Sequence, residues 1–133
     1  MESIAPPLLE YERTTHFPTR RGNLRFRVGA DGGVYFQRND KEPPAGAAWT
    51  AEFSAQPQSV VQGGVAALHA LLDRHDFFAM ESRYRNELSS DGSRESLAYH
   101  GPRGEKTVEV DRMTVPAFRT LLADLLVALG VQR

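Results

Sequence analysis

Hydrophobic and polar residues alternate most regularly over residues 23–28, which read Asn-Leu-Arg-Phe-Arg-Val. This period of two puts the apolar side chains on one face of a strand and the arginines on the other. An Asp-Gly-Gly run follows at 31–33, and residues 34–38 resume the alternation. Because glycine readily adopts the positive φ of a tight turn, we predict a β-hairpin over these residues.

Four further segments have the composition of strands. Residues 8–15 and 49–53 alternate apolar with polar side chains, and a second predicted hairpin joins residues 94–100 to 105–111. The turn of that hairpin is the Gly-Pro-Arg-Gly sequence at 101–104. Hairpins pair their strands antiparallel, so the sequence predicts a mostly antiparallel sheet.

Two segments carry apolar side chains at helical spacing. The first spans about residues 59–74 and has a capping box at its start, although Gly63-Gly64 leaves a later start open. The second follows Thr114 as a predicted N-cap, has Pro116 in its first turn and ends before Gly130. Both helices are therefore amphipathic, with one apolar stripe each.

The predicted order of elements is β-β-β-β-α-β-β-α. Helices with a single apolar stripe pack on one face of a sheet, so the predicted fold class is α+β, with two helices on one sheet face. We expect residues 8–133 to form a single domain and residues 1–7 to be a flexible lead-in. A chain of 133 residues that is 41% hydrophobic is able to bury a core, which excludes a disordered protein.

Charge and cysteine content exclude several classes of function. The chain has 16 basic and 17 acidic residues and a formal net charge of −1, whereas proteins that bind polyanions through charge alone are markedly basic. It has no cysteine, which excludes disulfides, thiolate metal sites and cysteine nucleophiles. Without a signal-like N-terminus or an apolar run of bilayer length, the sequence favours a cytoplasmic protein with no membrane partner. The near-neutral net charge disfavours nucleic acid as a partner.

The most unusual local feature is a concentration of basic residues. Residues 13–41 contain seven basic and two acidic side chains. Arg25 and Arg27 project from one face of their strand, and Tyr35 projects beside them from the neighbouring strand. Arginine and tyrosine are favoured at protein interfaces, so we expect this face to be open and to bind a protein. The predicted partner-binding residues are Arg20, Arg21, Arg25, Arg27, Tyr35 and Gln37.

Paired carboxylates offer a simpler explanation of part of that surface. Glu10 and Glu12 on the adjacent strand are placed to neutralise the arginines. Glu109 and Asp111 also lie two residues apart, and such pairs serve acid–base or divalent-cation chemistry in other proteins. All four lie on the polar side of amphipathic strands, so solvation or cross-strand pairing explains them without catalysis.

Histidine and glycine spacing give no catalytic or metal-binding motif. The four histidines, at positions 16, 69, 75 and 100, do not form a His-x-His or His-Glu-x-x-His pattern. His16 and His100 both lie near predicted strand ends, where the fold is able to bring them together. The sequence has no Gly-x-Ser-x-Gly elbow and no phosphate-binding glycine loop. We therefore predict no catalytic residues, no metal and no cofactor.

Turn and core residues resemble those of a small, functionally uncharacterised family of bacterial α+β domains. The matching residues are Arg13-Thr14, Leu24, Phe26, Val28, Asp31-Gly32, Val34-Tyr35, Leu71-Leu72, Phe77-Phe78, Tyr84, Asp91-Gly92, Lys106 and Pro116. The resemblance covers about residues 8–129 and implies the α+β fold but no activity. Many members of that family carry a cysteine pair in the first turn. Residues 16–23 have none here, so the resemblance implies no redox or metal role for this turn.

Three classes of function remain. We favour a non-catalytic protein-binding module, such as an adaptor, an immunity-type inhibitor or a subunit of a larger assembly. The first alternative is an enzyme with an unrecognised site near His16 and His100. The second is a binder of single-stranded nucleic acid through Arg25, Arg27 and Tyr35, since bases stack on such side chains. The oligomeric state is left open by the sequence.

Overall fold

The computed structural model describes residues 7–15, 20, 22–85 and 93–131. These residues form one seven-stranded sheet with two α-helices, which confirms the α+β prediction. The strands are β1 (Leu9–Thr15), β2 (Leu24–Val28), β3 (Gly33–Arg38), β4 (Ser59–Val60), β5 (Arg83–Arg85), β6 (Ser93–Gly101) and β7 (Gly104–Asp111). The helices are α1 (Gly64–Arg74) and α2 (Pro116–Ala128), and a short 3-10 helix covers Phe77–Ala79. Residues 1–6 of the predicted lead-in lie outside the described residues.

The strands are arranged in the order β4-β3-β2-β1-β6-β7-β5. All neighbours are antiparallel except β5, which runs parallel to β7. The two predicted hairpins, β2–β3 and β6–β7, lie on either side of β1. The register pairs Phe26 with Phe36 and Val28 with Val34, so the apolar side chains of the alternating pattern share one face.

Both helices pack on the apolar face of the sheet. α1 buries three leucines and α2 buries five apolar side chains, and these lie in one core with sheet residues such as Leu9, Phe26 and Leu97. His75, directly after α1, lies 2.6 Å from the Asp124 carboxylate of α2. No helix among the described residues combines the length and apolar character needed to cross a bilayer. The helices leave the opposite, polar face of the sheet uncovered, and charged side chains such as Glu10 and Arg27 lie there.

The predicted fourth strand and the predicted start of the first helix are both wrong. Residues 49–53 pair with no strand, and the fourth strand is β4 instead. There the Ser59 hydroxyl donates to the Leu129 carbonyl and does not cap a helix. Gly63 and Gly64 have positive φ values of 78° and 79°, which interrupt a helix. α1 therefore begins at Gly64, close to the later start that the glycine pair allowed.

Two smaller features also differ from the prediction. β5 is an additional strand that is not among the predicted elements. α2 has Pro116 in its first turn as expected, but its N-cap is Val115, which makes no side-chain capping hydrogen bond, and not Thr114. Burial of Phe118 and of the leucines in α2 stabilises the helix without a polar cap.

Candidate binding site on the polar face of the sheet

The predicted partner-binding residues of the β2–β3 hairpin lie together on the polar face. Arg25 pairs with Gln37 and Arg27 pairs with Tyr35 across the two strands. Their side chains therefore project away from the helices in two adjacent rows. Glu10 of β1 pairs with Arg27 on its other side, so an acidic row lies beside the arginines.

A segment between β3 and β4 crosses this face, and we call residues 48–55 the strap. Asn39, which is 1% exposed, anchors it. The side-chain amide of Asn39 donates to the Ala48 carbonyl at 2.8 Å, and its Oδ1 accepts from the Thr50 N–H at 2.9 Å. The same amide donates to the Arg20 carbonyl at 2.9 Å. One buried side chain thus holds both the strap and the chain that leads into β2.

Arg25 is enclosed between the strap and the sheet. Its guanidinium carbon lies 4.4 Å from the ring centres of both Trp49 and Phe53. Nη2 donates to the Ala51 carbonyl at 2.9 Å, and Nε donates to Gln37 Oε1 at 3.2 Å. Burial in this enclosure lowers the pKa of Arg25. The expectation of an open arginine face is therefore wrong for Arg25 and Gln37, whose polar groups bond within the chain.

Arg27 stays accessible beside the strap. Its side chain is 42% exposed, and its guanidinium carbon lies 4.8 Å from the Phe53 ring centre. Nη2 reaches Glu10 Oε1 at 3.5 Å, and the buried Nε has no hydrogen-bond partner among the described residues. Tyr35 contacts the edge of the same Phe53 ring, with ring centres 6.5 Å apart. A guanidinium with a free, desolvated N–H is suited to a planar oxygen ligand such as a carboxylate.

Two adjoining cavities flank Arg27, and together we call them the Arg27 groove. The smaller has a volume of about 210 Å³ and is lined by Phe53 and by Ser96 and Ala98 of β6. The larger has a volume of about 930 Å³ and includes Tyr35 and the turn at residues 29–31. Arg27 and Phe53 line both cavities. A ligand that spans the groove would therefore contact Arg27 near its centre.

Carboxylates around the groove neutralise part of its positive charge. The predicted pairing of Glu10 with Arg27 is confirmed, at 3.5 Å. Glu52 of the strap lies 4.0 Å from Arg25 and is almost fully exposed. Glu12 pairs with Arg25 in the strand register but forms no ion pair among the described residues. The groove is thus of mixed charge, with Arg27 as its more accessible cation, 42% exposed against 15% for Arg25.

Both members of the second predicted carboxylate pair, Glu109 and Asp111, form ion pairs with arginines. Arg83 lies 3.2 Å from Glu109, and Asp111 lies 3.5 Å from Arg85 and 3.8 Å from Arg94. These arginines come from the two strands that flank β7. Of the two explanations that the sequence offered, solvation or cross-strand pairing, the structure shows cross-strand pairing.

His100 lies on the same polar face, between two carboxylates. Nδ1 is 2.7 Å from Glu105 Oε2, and Nε2 is 3.3 Å from Glu10 Oε2. His16, its predicted neighbour, lies outside the described residues, as does Arg21. In the part of the chain that the structure describes, no group of three or more His, Asp or Glu side chains is arranged to hold a metal ion.

Arg20 and His69, the remaining residues of interest, contact groups away from the groove. The backbone N–H and the guanidinium of Arg20 contact the Glu42 carboxylate at 3.0 and 3.7 Å. His69 Nε2 lies 2.8 Å from the hydroxyl of buried Tyr99. These contacts stabilise the chain, and neither residue lines the Arg27 groove.

Phe53 is not among the predicted site residues, yet it contacts Arg25, Arg27 and Tyr35 at once. The alternation of Trp49, Ala51 and Phe53 predicted a strand, whereas the Trp49 and Phe53 rings lie over Arg25 of the hairpin. The sequence did contain a signal against a strand here. The two aromatic residues lie between Pro43-Pro44 and Pro57, and proline interrupts sheet pairing.

Comparison of the sequence with protein-family models and with curated proteins finds no match. The resemblance to a small bacterial α+β family therefore stays a prediction.

Proposed function

We propose that this chain is a non-catalytic protein-binding module that takes an acidic segment of a partner protein into the Arg27 groove. The observation that carries the proposal is the accessibility of Arg27, whose side chain is 42% exposed where it lines both cavities of the groove. A carboxylate in the guanidinium plane accepts hydrogen bonds from two N–H groups at once. The exposed end of the Arg27 guanidinium offers N–H groups for such a contact.

The lining of the larger cavity suits a peptide segment of mixed character. Pro7, Ala30 and Ala55 contribute apolar surface next to the Arg27 guanidinium, and Tyr35 adds an aromatic ring. Interfaces between proteins combine such apolar and aromatic surface with a few charge-assisted hydrogen bonds. A short acidic segment with neighbouring apolar side chains matches this arrangement.

Carboxylates in the groove disfavour nucleic acid, the other ligand for an arginine-rich face. Glu10 lines the smaller cavity, and Asp31 and Glu52 line the larger one. Single-stranded nucleic acid needs a continuous basic track for its phosphates. These acids interrupt such a track, and Arg25 is enclosed by the strap. A protein segment that brings a single carboxylate needs no such track, because it pairs with Arg27 alone.

Affinity capture of the tagged chain from its own cells tests the proposal. The capture is done in low and high salt, and bound proteins and nucleic acids are identified. We expect one protein in constant ratio to the wild-type chain and its loss with Arg27→Glu. Arg94→Glu is the matched control, since Arg94 is 66% exposed on the same face and lies outside the groove.

Three outcomes would count against the proposal. A protein partner that survives Arg27→Glu would exclude the groove as its binding site. Nucleic acid that high salt removes would support the alternative class of function. A capture without any bound protein would overturn the binding-module proposal.

A further inference from the structure

The larger cavity of the Arg27 groove carries charges of opposite sign on its two walls. Arg27 lines it from the hairpin, and Glu52 lines it from the strap. The Arg27 side chain is 42% exposed and the Glu52 side chain is 98% exposed, so both charged groups are accessible. A ligand that fills this cavity therefore meets a cation on one wall and an anion on the other.

Glu52 is held only weakly by its neighbour Arg25. Glu52 Oε2 lies 4.0 Å from Arg25 Nη2, and this is its one ion pair among the described residues. The same nitrogen donates to the Ala51 carbonyl at 2.9 Å, and the Trp49 and Phe53 rings enclose the guanidinium. Water screens a pair of this length whose carboxylate is exposed, so the pair contributes little. Arg25 thus keeps its other strap contacts without Glu52, and the Glu52 carboxylate is available to another cation.

Asp31, at the hairpin turn, adds a second exposed carboxylate to the larger cavity. Its Oδ1 accepts a hydrogen bond from the Gly33 N–H at 2.9 Å, so the turn holds this side chain in place. Arg25, the other cation of the lining, is 15% exposed and is enclosed by the strap. The accessible charges of the larger cavity are therefore one cation, at Arg27, and two carboxylates. This balance favours a ligand with a cationic group over a ligand that is acidic throughout.

We propose that the partner segment carries a basic side chain as well as an acidic one, with its carboxylate at Arg27 and its cation at Glu52. This inference rests on the proposed function, since it places the same segment in the same groove. Charges of opposite sign on the two walls fix the position of such a segment. They also disfavour a segment that is acidic throughout, because its second carboxylate would approach Glu52. The larger cavity thereby selects for mixed charge rather than for acidity alone.

Peptides that differ in one side chain test this selection. The probes are acetyl-Leu-Glu-Ala-X-Leu-amide, in which X is lysine, alanine or glutamate, and the reversed series acetyl-Leu-X-Ala-Glu-Leu-amide, because a segment is able to enter the groove in either direction. Dissociation constants are measured at pH 7 and low salt by NMR titration of the labelled chain. In one of the two series, we expect the wild-type chain to bind the lysine peptide about two- to fivefold more tightly than the alanine peptide, the range of one exposed ion pair. The glutamate peptide should bind more weakly than the alanine peptide.

Reversing the charge at position 52 should reverse this order. Glu52→Lys places a cation on the strap wall, so the glutamate peptide should bind this variant more tightly than the lysine peptide does. Glu81→Lys is the matched control, because Glu81 is also exposed, undergoes the same change of charge and lines neither cavity. The control should keep the wild-type order. Trp49 fluorescence checks that the strap stays in place in both variants.

Arg27→Glu separates this inference from the proposed function. If the wild-type chain binds the three peptides equally and Arg27→Glu binds none of them, the inference is overturned and the proposed function stands. A lysine preference that depends on Glu52 but survives Arg27→Glu would support the cation contact and contradict the proposed function. Failure of every peptide to bind the wild-type chain would overturn both.

Discussion

The guanidinium carbon of Arg25 lies 4.4 Å from the ring centre of Trp49, and this contact fastens the strap to the sheet. Phe53 lies at the same distance from that guanidinium. Arg25 thus holds the strap against the sheet, while Arg27 remains accessible to a ligand. Trp49 is the single tryptophan of the chain, so its fluorescence reports directly on this contact.

Replacing Arg25 with alanine should loosen the strap. The variant loses two cation–π contacts and the hydrogen bonds to the Ala51 carbonyl and to Gln37. We expect a loss of about 1–3 kcal/mol in the free energy of unfolding. The Trp49 emission should move to longer wavelength, with stronger quenching by acrylamide. Arg94→Ala, a change at an exposed arginine of the same face, should alter neither; unchanged emission in Arg25→Ala would contradict the described contact.

Removing the Asn39 side chain should destabilise the strap more strongly. Asn39→Ala leaves the Thr50 N–H without its side-chain partner and removes one hydrogen bond each from the Ala48 and Arg20 carbonyls, which keep their bonds from Asn23. An unsatisfied N–H costs about 1–3 kcal/mol and each lost hydrogen bond about 0.5–1.5 kcal/mol, so we expect a loss of about 2–4 kcal/mol. Urea denaturation measures it. Thr50→Val removes the hydroxyl that contacts Asn39 and Gln37 but keeps the Thr50 N–H bond, so it should cost less; the reverse ranking would show that Asn39 is not the anchor.

Tyr11 should make the stability of the fold sensitive to alkaline pH. Its hydroxyl donates to the buried Glu95 carboxylate at 2.7 Å, and Glu95 also pairs with Arg119. Burial first, and then the Glu95 charge, raise the pKa of Tyr11 well above its ordinary value of 10.0. The folded chain therefore keeps a proton that the unfolded chain releases above about pH 10, so stability falls as pH rises beyond that point.

Tyr11→Phe provides the comparison for this effect. Between pH 9.5 and pH 11 the wild-type chain should lose about 1 kcal/mol more of its free energy of unfolding than the variant loses. At pH 7 the variant should be less stable by about 1 kcal/mol, because the hydrogen bond to Glu95 is lost. Parallel stability curves for the two proteins above pH 9.5 would show that Tyr11 ionises equally in the folded and unfolded chain.

Gly101, at the end of β6, is required for close packing. A methyl group there would overlap the Tyr99 hydroxyl and lie 2.6 Å from Leu8 Cδ1. Tyr99 is fully buried and Leu8 nearly so, so neither side chain has room to move. We expect Gly101→Ala to lower the free energy of unfolding by about 1–3 kcal/mol. The thermal unfolding midpoint of the variant, compared with that of the wild-type chain, measures this loss.

Gly104→Ala is the matched control in the same hairpin. A methyl group at Gly104 meets nothing within 4 Å, but the residue has a φ of 98°, which strains an alanine. We expect a loss of about 1–2 kcal/mol from backbone strain alone. A milder effect at Gly101 than at Gly104 would argue against the packing around Tyr99.

The parts of the fold that could be predicted are those whose sequence pattern repeats over several residues. The β2–β3 hairpin alternates strictly and ends in an Asp-Gly-Gly turn, and α2 carries its apolar stripe between Pro116 and Gly130. In both, local preference and burial favour the same structure. The start of α1 was ambiguous because the capping pattern at Ser59 and the two glycines indicated different boundaries.

The candidate site could be predicted only in part, because it depends on contacts between distant residues. The shared face of Arg25, Arg27 and Tyr35 follows from strand alternation. Enclosure of Arg25 by the strap requires the Asn39 anchor, and no local pattern distinguishes Asn39 from other loop asparagines. β5 likewise forms because β7 offers it a partner, and its own three residues carry little strand signal.

The sheet is seven strands wide, yet its outermost strands, β4 and β5, have only two and three residues. Beyond the end of β4, the Gln58 side chain accepts from the Phe36 N–H and so occupies part of the β3 edge that a longer strand would cover. Long, unpaired edges are where sheets of separate molecules join into aggregates. Short terminal strands and a side-chain cap therefore limit the length of continuous strand at each edge of this wide sheet, and with it the template for edge-to-edge polymerisation.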